Sequence, residues 1–215
     1  MTTKERFENI INYFSAEMPI AESELNYATP YELIVAVILS AQCTDKRVNQ
    51  ITPPFFKAFP KPELLANAEI PEIYEYIKSC SYPNNKAKNL SGMAKMLVSE
   101  YNSELPSMPD ELQKLPGVGR KTANVLASVL FGKPVIAVDT HVFRVSARIG
   151  LTINAKTPLE CEKQLTKYFP AHLLPIAHHW LILHGRYVCI ARKPKCSTCG
   201  IFKYCVFFEN KQLNN

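Results

Sequence analysis

Punctuation by proline and glycine constrains this chain more than any other feature. Thr29-Pro30-Tyr31-Glu32 and Thr157-Pro158-Leu159-Glu160 each set a capping hydroxyl before a proline at the first helical position and a glutamate at the third. Gly132 follows Leu130-Phe131, and Gly150 follows Arg148-Ile149, where helix-ending glycines belong. Between these marks apolar residues recur at helical spacing, as at Leu90, Met93, Ala94, Leu97 and Val98, or at Val125, Leu126, Val129 and Leu130. The one strand-like piece, residues 135–138, is too short to support a sheet. Sixteen prolines therefore cut an all-α protein into short helices, nine or ten by this reading.

An apolar fraction of 47% is ample for a core. The longest unbroken apolar run, Leu33 to Leu39, falls far short of a bilayer span. Near the N-terminus Phe7, Ile10, Ile11 and Phe14 are spaced as on an amphipathic helix, not as in a signal peptide. The expectation is a cytoplasmic protein with no membrane partner. Charge is unevenly spread: residues 1–40 hold two basic and six acidic residues, whereas residues 112–203 hold fourteen and three. A block that basic reads as a face for a polyanion.

That block contains Leu115-Pro116-Gly117-Val118-Gly119-Arg120-Lys121, directly before a helical segment from Arg120 to Phe131. Two glycines around one residue let a backbone come close to a phosphate, because no Cβ stands in the way. Lys121 falls in the first turn of the helix, where the positive dipole end disfavours an ammonium, and is a candidate amine nucleophile. Asp139, in Val138-Asp139-Thr140-His141, is its candidate partner. Asp139 is also a good N-cap for Thr140 to Ile149, and a capping carboxylate can still do chemistry.

Seven cysteines, an odd number, argue against a disulfide framework. Four of them, Cys189, Cys196, Cys199 and Cys205, crowd the C-terminal region and mark a metal site. Spacing leaves zinc and iron both open, although zinc usually takes two Cys-x-x-Cys knuckles and only one is present. A [4Fe–4S] cluster accepts four ligands from one looping segment more naturally. Pinning the loop between the first two ligands would stiffen Arg192, Lys193 and Lys195 for phosphate contact. Cys43, Cys80 and Cys161 read as small apolar fillers.

Taken together, Leu115 to Ala123, Val138 to Val145 and the cysteine spacing resemble the endonuclease III family of helix-hairpin-helix DNA glycosylases. The likeness extends to Leu39-Ser40-Ala41-Gln42, to Asn84-Asn85-Lys86-Ala87 and to the stretch from His178 to Arg186. The resemblance implies two helical lobes with a DNA cleft between them. One is a six-helix barrel domain, residues 21–133, with its helix-hairpin-helix at about 110–131. The other is a discontinuous iron-sulfur cluster domain, residues 1–20 plus 134–215, with its cluster loop at 189–205.

It further implies a monomeric base excision repair enzyme for double-stranded DNA carrying damaged bases or abasic sites. Such an enzyme is a bifunctional DNA N-glycosylase that removes oxidised pyrimidines. It cleaves abasic sites by β-elimination through a Lys121 Schiff base, with Asp139 assisting. Burial, the helix terminus and Arg120 are the expected levers on the lysine. Cys189, Cys196, Cys199 and Cys205 would hold a [4Fe–4S] cluster. DNA contacts would come from Gln42, Tyr82, Lys86, Gly117, Val118, Gly119, Arg120, Thr140, His141, Arg144, Arg192, Lys193 and Lys195. Ser81-Tyr82 replaces the family's usual glycine and aliphatic wedge, and an aromatic can also wedge or stack. The alternatives are a glycosylase of the same superfamily acting on another base, or a non-catalytic DNA-binding or redox-sensing module.

Overall fold

A computed structural model describes residues 1–213. Its helices are α1 (Thr3–Glu17), α2 (Pro30–Ser40), α3 (Asp45–Ala58), α4 (Pro62–Asn67), α5 (Ile70–Ile77), α6 (Pro83–Glu100) and α7 (Pro109–Leu112). They continue with α8 (Arg120–Phe131), α9 (Thr140–Ile149), α10 (Pro158–Tyr168), α11 (Leu174–Tyr187) and α12 (Val206–Leu213). Short 3-10 turns separate the last pieces, and no strand occurs among the described residues. The fold is all-α. No described helix is long and apolar enough to cross a membrane.

The expected caps set the helix starts. The Thr29 hydroxyl accepts from Glu32 N at 3.2 Å, and Glu32 reaches back to the Ala28 amide at 2.6 Å. Thr157 and Glu160 repeat the arrangement at α10. Gly150 ends α9 in the left-handed region, at φ 90°. One expectation fails: proline does not always interrupt. Pro53 and Pro54 lie inside α3. Both are exposed, so water can meet the carbonyls whose donors they lack.

The chain divides into two compact units, Ser23–Phe131 and Met1–Glu22 with Gly132–Asn215. In the first, α2 is buried from Leu33 to Leu39 without a polar face and packs against α3, α6 and α8. Helices α4 and α5 lie along α6, and α7 pairs with α8. In the second, α9 is the centre, packed by α10, α11 and α12. Helix α1 completes that core. Phe7 stacks on Tyr168 and meets Phe169 edge-on, while Phe14 stacks on Trp180. The Trp180 indole then donates to Met18 O at 2.8 Å. The residues 214 and 215 of the expected cluster domain lie outside the described residues.

Candidate active site and metal centre

The turn between α7 and α8 is held from inside by Leu115 and Val118, both buried, with Val118 N donating to Leu115 O at 3.0 Å. Its two glycines have different duties. Gly117 sits at φ +82°, and a Cβ there would stand 2.9 Å from the Asn89 Cβ, so the fold itself needs glycine. A Cβ at Gly119 would meet nothing within 4 Å. Gly119 therefore leaves room for a body outside the chain. Behind it the first-turn amides of α8 lack intrahelical partners, which together with the helix dipole makes an anion site. Val118 contributes packing, since its amide is already engaged. Arg120 and Lys121 are exposed. Burial, one of the levers expected to act on Lys121, is thus absent in the free protein, because the first turn of α8 faces outward.

Gln42, Tyr82 and Lys86 come together at the ends of α2 and α6. Gln42 and Tyr82 are both exposed and both at φ 55°, the left-handed region that non-glycine residues seldom enter. The Ser81 hydroxyl donates to Gln42 O at 2.5 Å and ties the two loops. Lys86, expected at the DNA surface, is only 5% exposed. Its ammonium donates to Leu39 O and Ala41 O, each at 2.7 Å, and to Cys80 Sγ at 3.1 Å. The end of α2 leaves carbonyls without donors, and this lysine supplies them. It braces the two loops from beneath.

In the other unit Asp139 caps α9. Its Oδ1 accepts from His141 N and Val142 N, both at 2.8 Å, while Oδ2 lies 3.4 Å from His141 Nδ1. Asp139 and His141 are half-buried and Thr140 is exposed. Arg144, expected to face DNA, turns inward instead. It donates to Gly185 O at 3.0 Å and Cys189 O at 3.3 Å, joining α9 to the start of the cysteine loop. Sequence reasoning missed Arg148, which donates to Ile190 O at 2.9 Å, Ala191 O at 2.7 Å and Cys189 Sγ at 3.5 Å. The signal was available: Arg148 lies one helical turn after Arg144 on the same face.

Cys189, Cys196, Cys199 and Cys205 line a single small cavity together with His184 and Ile201. Burial pushes the Cys199 thiol up to about 11 and raises Cys205 as well, so these thiols stay protonated until metal cations favour the thiolates. Among the described residues, no three cysteine, histidine or acidic side chains close up enough to hold a single metal ion. A zinc ion with bonds of about 2.3 Å to sulfur would need that closure. Four soft donors fanned around one cavity fit an iron-sulfur cluster, whose core spreads its ligands apart. His184 is buried, its pKa lowered to about 4 by desolvation, and its Nε2 lies 3.7 Å from Cys199 Sγ. It is a neutral packing partner of the site. His178 likewise serves the fold, with Nδ1 2.8 Å from Ala137 O. Arg192, Lys193 and Lys195 stay exposed on the loop, and Lys195 N closes it onto Val188 O at 2.9 Å.

Comparison with known proteins agrees with this geometry. Residues 35–171 match the profile of the HhH-GPD superfamily base excision DNA repair proteins, and residues 189–205 match the iron-sulfur binding domain of endonuclease III. Endonuclease III of Rickettsia felis is 47% identical over 94% of this chain and 94% of its own length. That of Bacillus subtilis is 44% identical over 95% and 94%. The structure of a trapped endonuclease III–DNA covalent intermediate superposes with a TM-score of 0.93 at 42% identity, covering 99% of this chain and all of that one. Residues 189–205 thus form the segment of a [4Fe–4S] cluster, and the chain belongs to the endonuclease III family of helix-hairpin-helix base excision repair proteins.

Proposed function

We propose that this protein is a bifunctional DNA N-glycosylase and AP lyase that removes oxidised pyrimidines from double-stranded DNA. The observation that carries the reading is Lys121, exposed in the first turn of α8 immediately behind the Gly-Val-Gly turn. The first-turn amides and Arg120 receive a phosphate, and Gly119 lets the backbone approach. An oxidised pyrimidine stacks poorly, which reduces the cost of turning it out of the duplex.

Lys121, as the neutral amine, attacks C1′ of the extruded nucleotide while the C1′–N bond breaks and the base leaves. The Asp139 carboxylate stabilises the positive charge that develops on the sugar and then takes the proton that the attached nitrogen gives up, while the departing base gains a proton from water. Once the sugar ring opens, Lys121 is joined to C1′ as a Schiff base. That imine acidifies the C2′–H bond, and loss of the proton expels the 3′ phosphate by β-elimination. Bound DNA supplies the burial that Lys121 lacks in the free protein.

Gln42 and Tyr82 enter the duplex where the nucleotide has left, and Thr140 and His141 meet the DNA backbone beside Asp139. Arg192, Lys193 and Lys195 add phosphate contacts from the cluster loop, so the cluster serves binding and not bond breaking. Lys86, Val118 and Arg144 act as internal supports. Residues 21–133 form the barrel domain and residues 1–20 plus 134–215 the cluster domain. The protein works as a cytoplasmic monomer.

Borohydride trapping on duplexes with thymine glycol or an abasic site tests the reading. Wild type is expected to give a covalent adduct on both, and Lys121→Ala on neither. Adduct on the abasic duplex alone would leave the lyase standing and remove the assigned base. No adduct on either, from folded and coloured protein, would overturn the mechanism.

A further inference from the structure

Beneath the tips that carry Gln42 and Tyr82, two thiols meet. Cys43 directly follows Gln42, and Cys80 lies two residues before Tyr82. The Cys80 thiol is a junction: it donates to Leu39 O at 3.3 Å, receives Lys86 Nζ at 3.1 Å, and interacts with the neighbouring Cys43 thiol, whose loop Ser81 ties down through Gln42 O. Cys43 is half-buried and Cys80 is buried, so one member of the pair meets solvent and the other waits behind it. The remaining cysteines differ. Four are cluster ligands, and Cys161 is buried in the core beside Ser146 and Thr152.

We infer that Cys43 and Cys80 form an oxidisable dithiol, a modification site whose disulfide staples the Gln42 loop to the Tyr82 loop. The oxidant is a hydroperoxide, the chemical class that also produces oxidised bases. The Cys43 thiolate attacks one peroxide oxygen, the O–O bond breaks, and the departing hydroxide takes up a proton to give water. Cys43 is left as the sulfenic acid. The Cys80 thiolate then attacks the Cys43 sulfur, the S–O bond breaks, and a second hydroxide leaves as water. Overall two thiols lose two hydrogens and one hydrogen peroxide becomes two waters. Burial raises the Cys80 thiol above its ordinary range, and the Lys86 ammonium opposes that by favouring the thiolate.

The bridge changes the loops because a disulfide requires the two sulfurs to close to about 2.05 Å, well inside any non-bonded approach of two thiols. It also takes the Cys80 sulfur away from Lys86, loosening the brace under both tips. Resting on the proposed function, the oxidised protein binds damaged DNA more weakly, and dithiothreitol restores it.

The holoenzyme treated with a small excess of hydrogen peroxide, alkylated and digested, gives the direct test by mass spectrometry. A Cys43–Cys80 linked peptide pair is expected, removed by dithiothreitol, absent from Cys43→Ser, and formed while Cys161 stays reduced and the cluster keeps its colour. Oxidation of Cys43 to the sulfinic acid without a link, or bleaching of the cluster before any link forms, would overturn the inference. A second arm measures affinity for a duplex with a tetrahydrofuran abasic analogue. Peroxide is expected to weaken wild type about tenfold, the scale of one loop residue losing its freedom to adjust, and to leave Cys43→Ser unchanged. A linked protein with unaltered affinity would overturn the effect on binding. Reduced protein that fails to bind the duplex would count against the functional reading, and the peptide map alone would then decide the dithiol.

Discussion

Both units hold irregular backbone in place with inward-turned cations, but they use different ones. In the unit 23–131 a single ammonium, Lys86, serves Leu39 O, Ala41 O and Cys80 Sγ. In the other unit guanidinium groups do the work. Arg6 joins Ile149 O to Tyr204 O, Arg144 joins Gly185 O to Cys189 O, and Arg148 spans Ile190 O and Ala191 O. A compact, three-donor ammonium suits acceptors converging on one point, whereas a planar fork suits carbonyls strung along a loop. The contrast shows that positive charge in a basic protein divides between support and binding according to which carbonyls the fold leaves unpaired.

The strongest way to break the contrast is Lys86→Met. One buried and one part-buried carbonyl lose their donor, and denaturant unfolding should show a loss of about 2 kcal/mol. Lys86→Arg should fail to restore it, because the fork does not fit a convergent site. An unchanged midpoint in either variant would refute the strut.

An effect of similar size separates the two glycines of the hairpin turn. Gly117→Ala must adopt a positive φ against Asn89 and should cost about 2 kcal/mol. Gly119→Ala should melt within about 2 °C of wild type yet bind abasic DNA more weakly. Equal melting temperatures for the two variants would contradict their assigned duties. Arg148→Lys, which keeps charge and loses the fork, should cost about 1 kcal/mol. It should also bleach the cluster faster than wild type under a chelator, and equal bleaching rates would show that the fork is dispensable.

Acid should distinguish the units most gently. All five histidines lie between residues 141 and 184, outside the unit 23–131. His179 has its pKa lowered from 6.5, chiefly by burial, with Arg186 adding to the shift and Glu22 opposing it. A lowered value means the unfolded chain binds more protons, so its contribution is whole above about 6.5 and shrinks as pH falls. Hydrogen exchange should therefore show α11 losing protection as pH falls below about 6.5 while α2 keeps it. In the unit 23–131 the matching loss comes lower. Glu63 and Glu111 have pKa values lowered from 4.5, mainly by hydrogen bonds from Ser103 and Lys114, and titrate only below that value. Simultaneous loss in α2 and α11 would contradict this division.

Much of the fold was legible because its signals are local. A threonine three residues before a glutamate, or a glycine after an apolar pair, acts within one helical turn, and α2, α8, α9 and α10 begin or end where such marks stand. The cysteine spacing was legible for the same reason. The direction of a long basic side chain is not a local property. Lys86 and Arg144 read as surface charge, yet the carbonyls of Leu39 and Ala41, and of Gly185 and Cys189, to which they donate lie more than forty residues away. Pro53-Pro54 shows the converse, since only the solvent exposure of that face lets α3 continue through them. The left-handed backbone at Gln42 and Tyr82 left no mark either, because neither residue type favours it.

Helix α1 has a consequence for how the chain is made. Arg6 donates to Tyr204 O across 198 residues, and the Trp180 indole reaches Met18 O across 162. On the ribosome the first helix therefore emerges long before the segments that bury Phe7 and Phe14 exist. The unit 23–131 has all its residues in hand well before synthesis ends and can fold first. Helix α1 waits as an exposed amphipathic segment until the last residues arrive. Late truncations should consequently leave a folded middle attached to an unsatisfied apolar helix, the species a chaperone would hold.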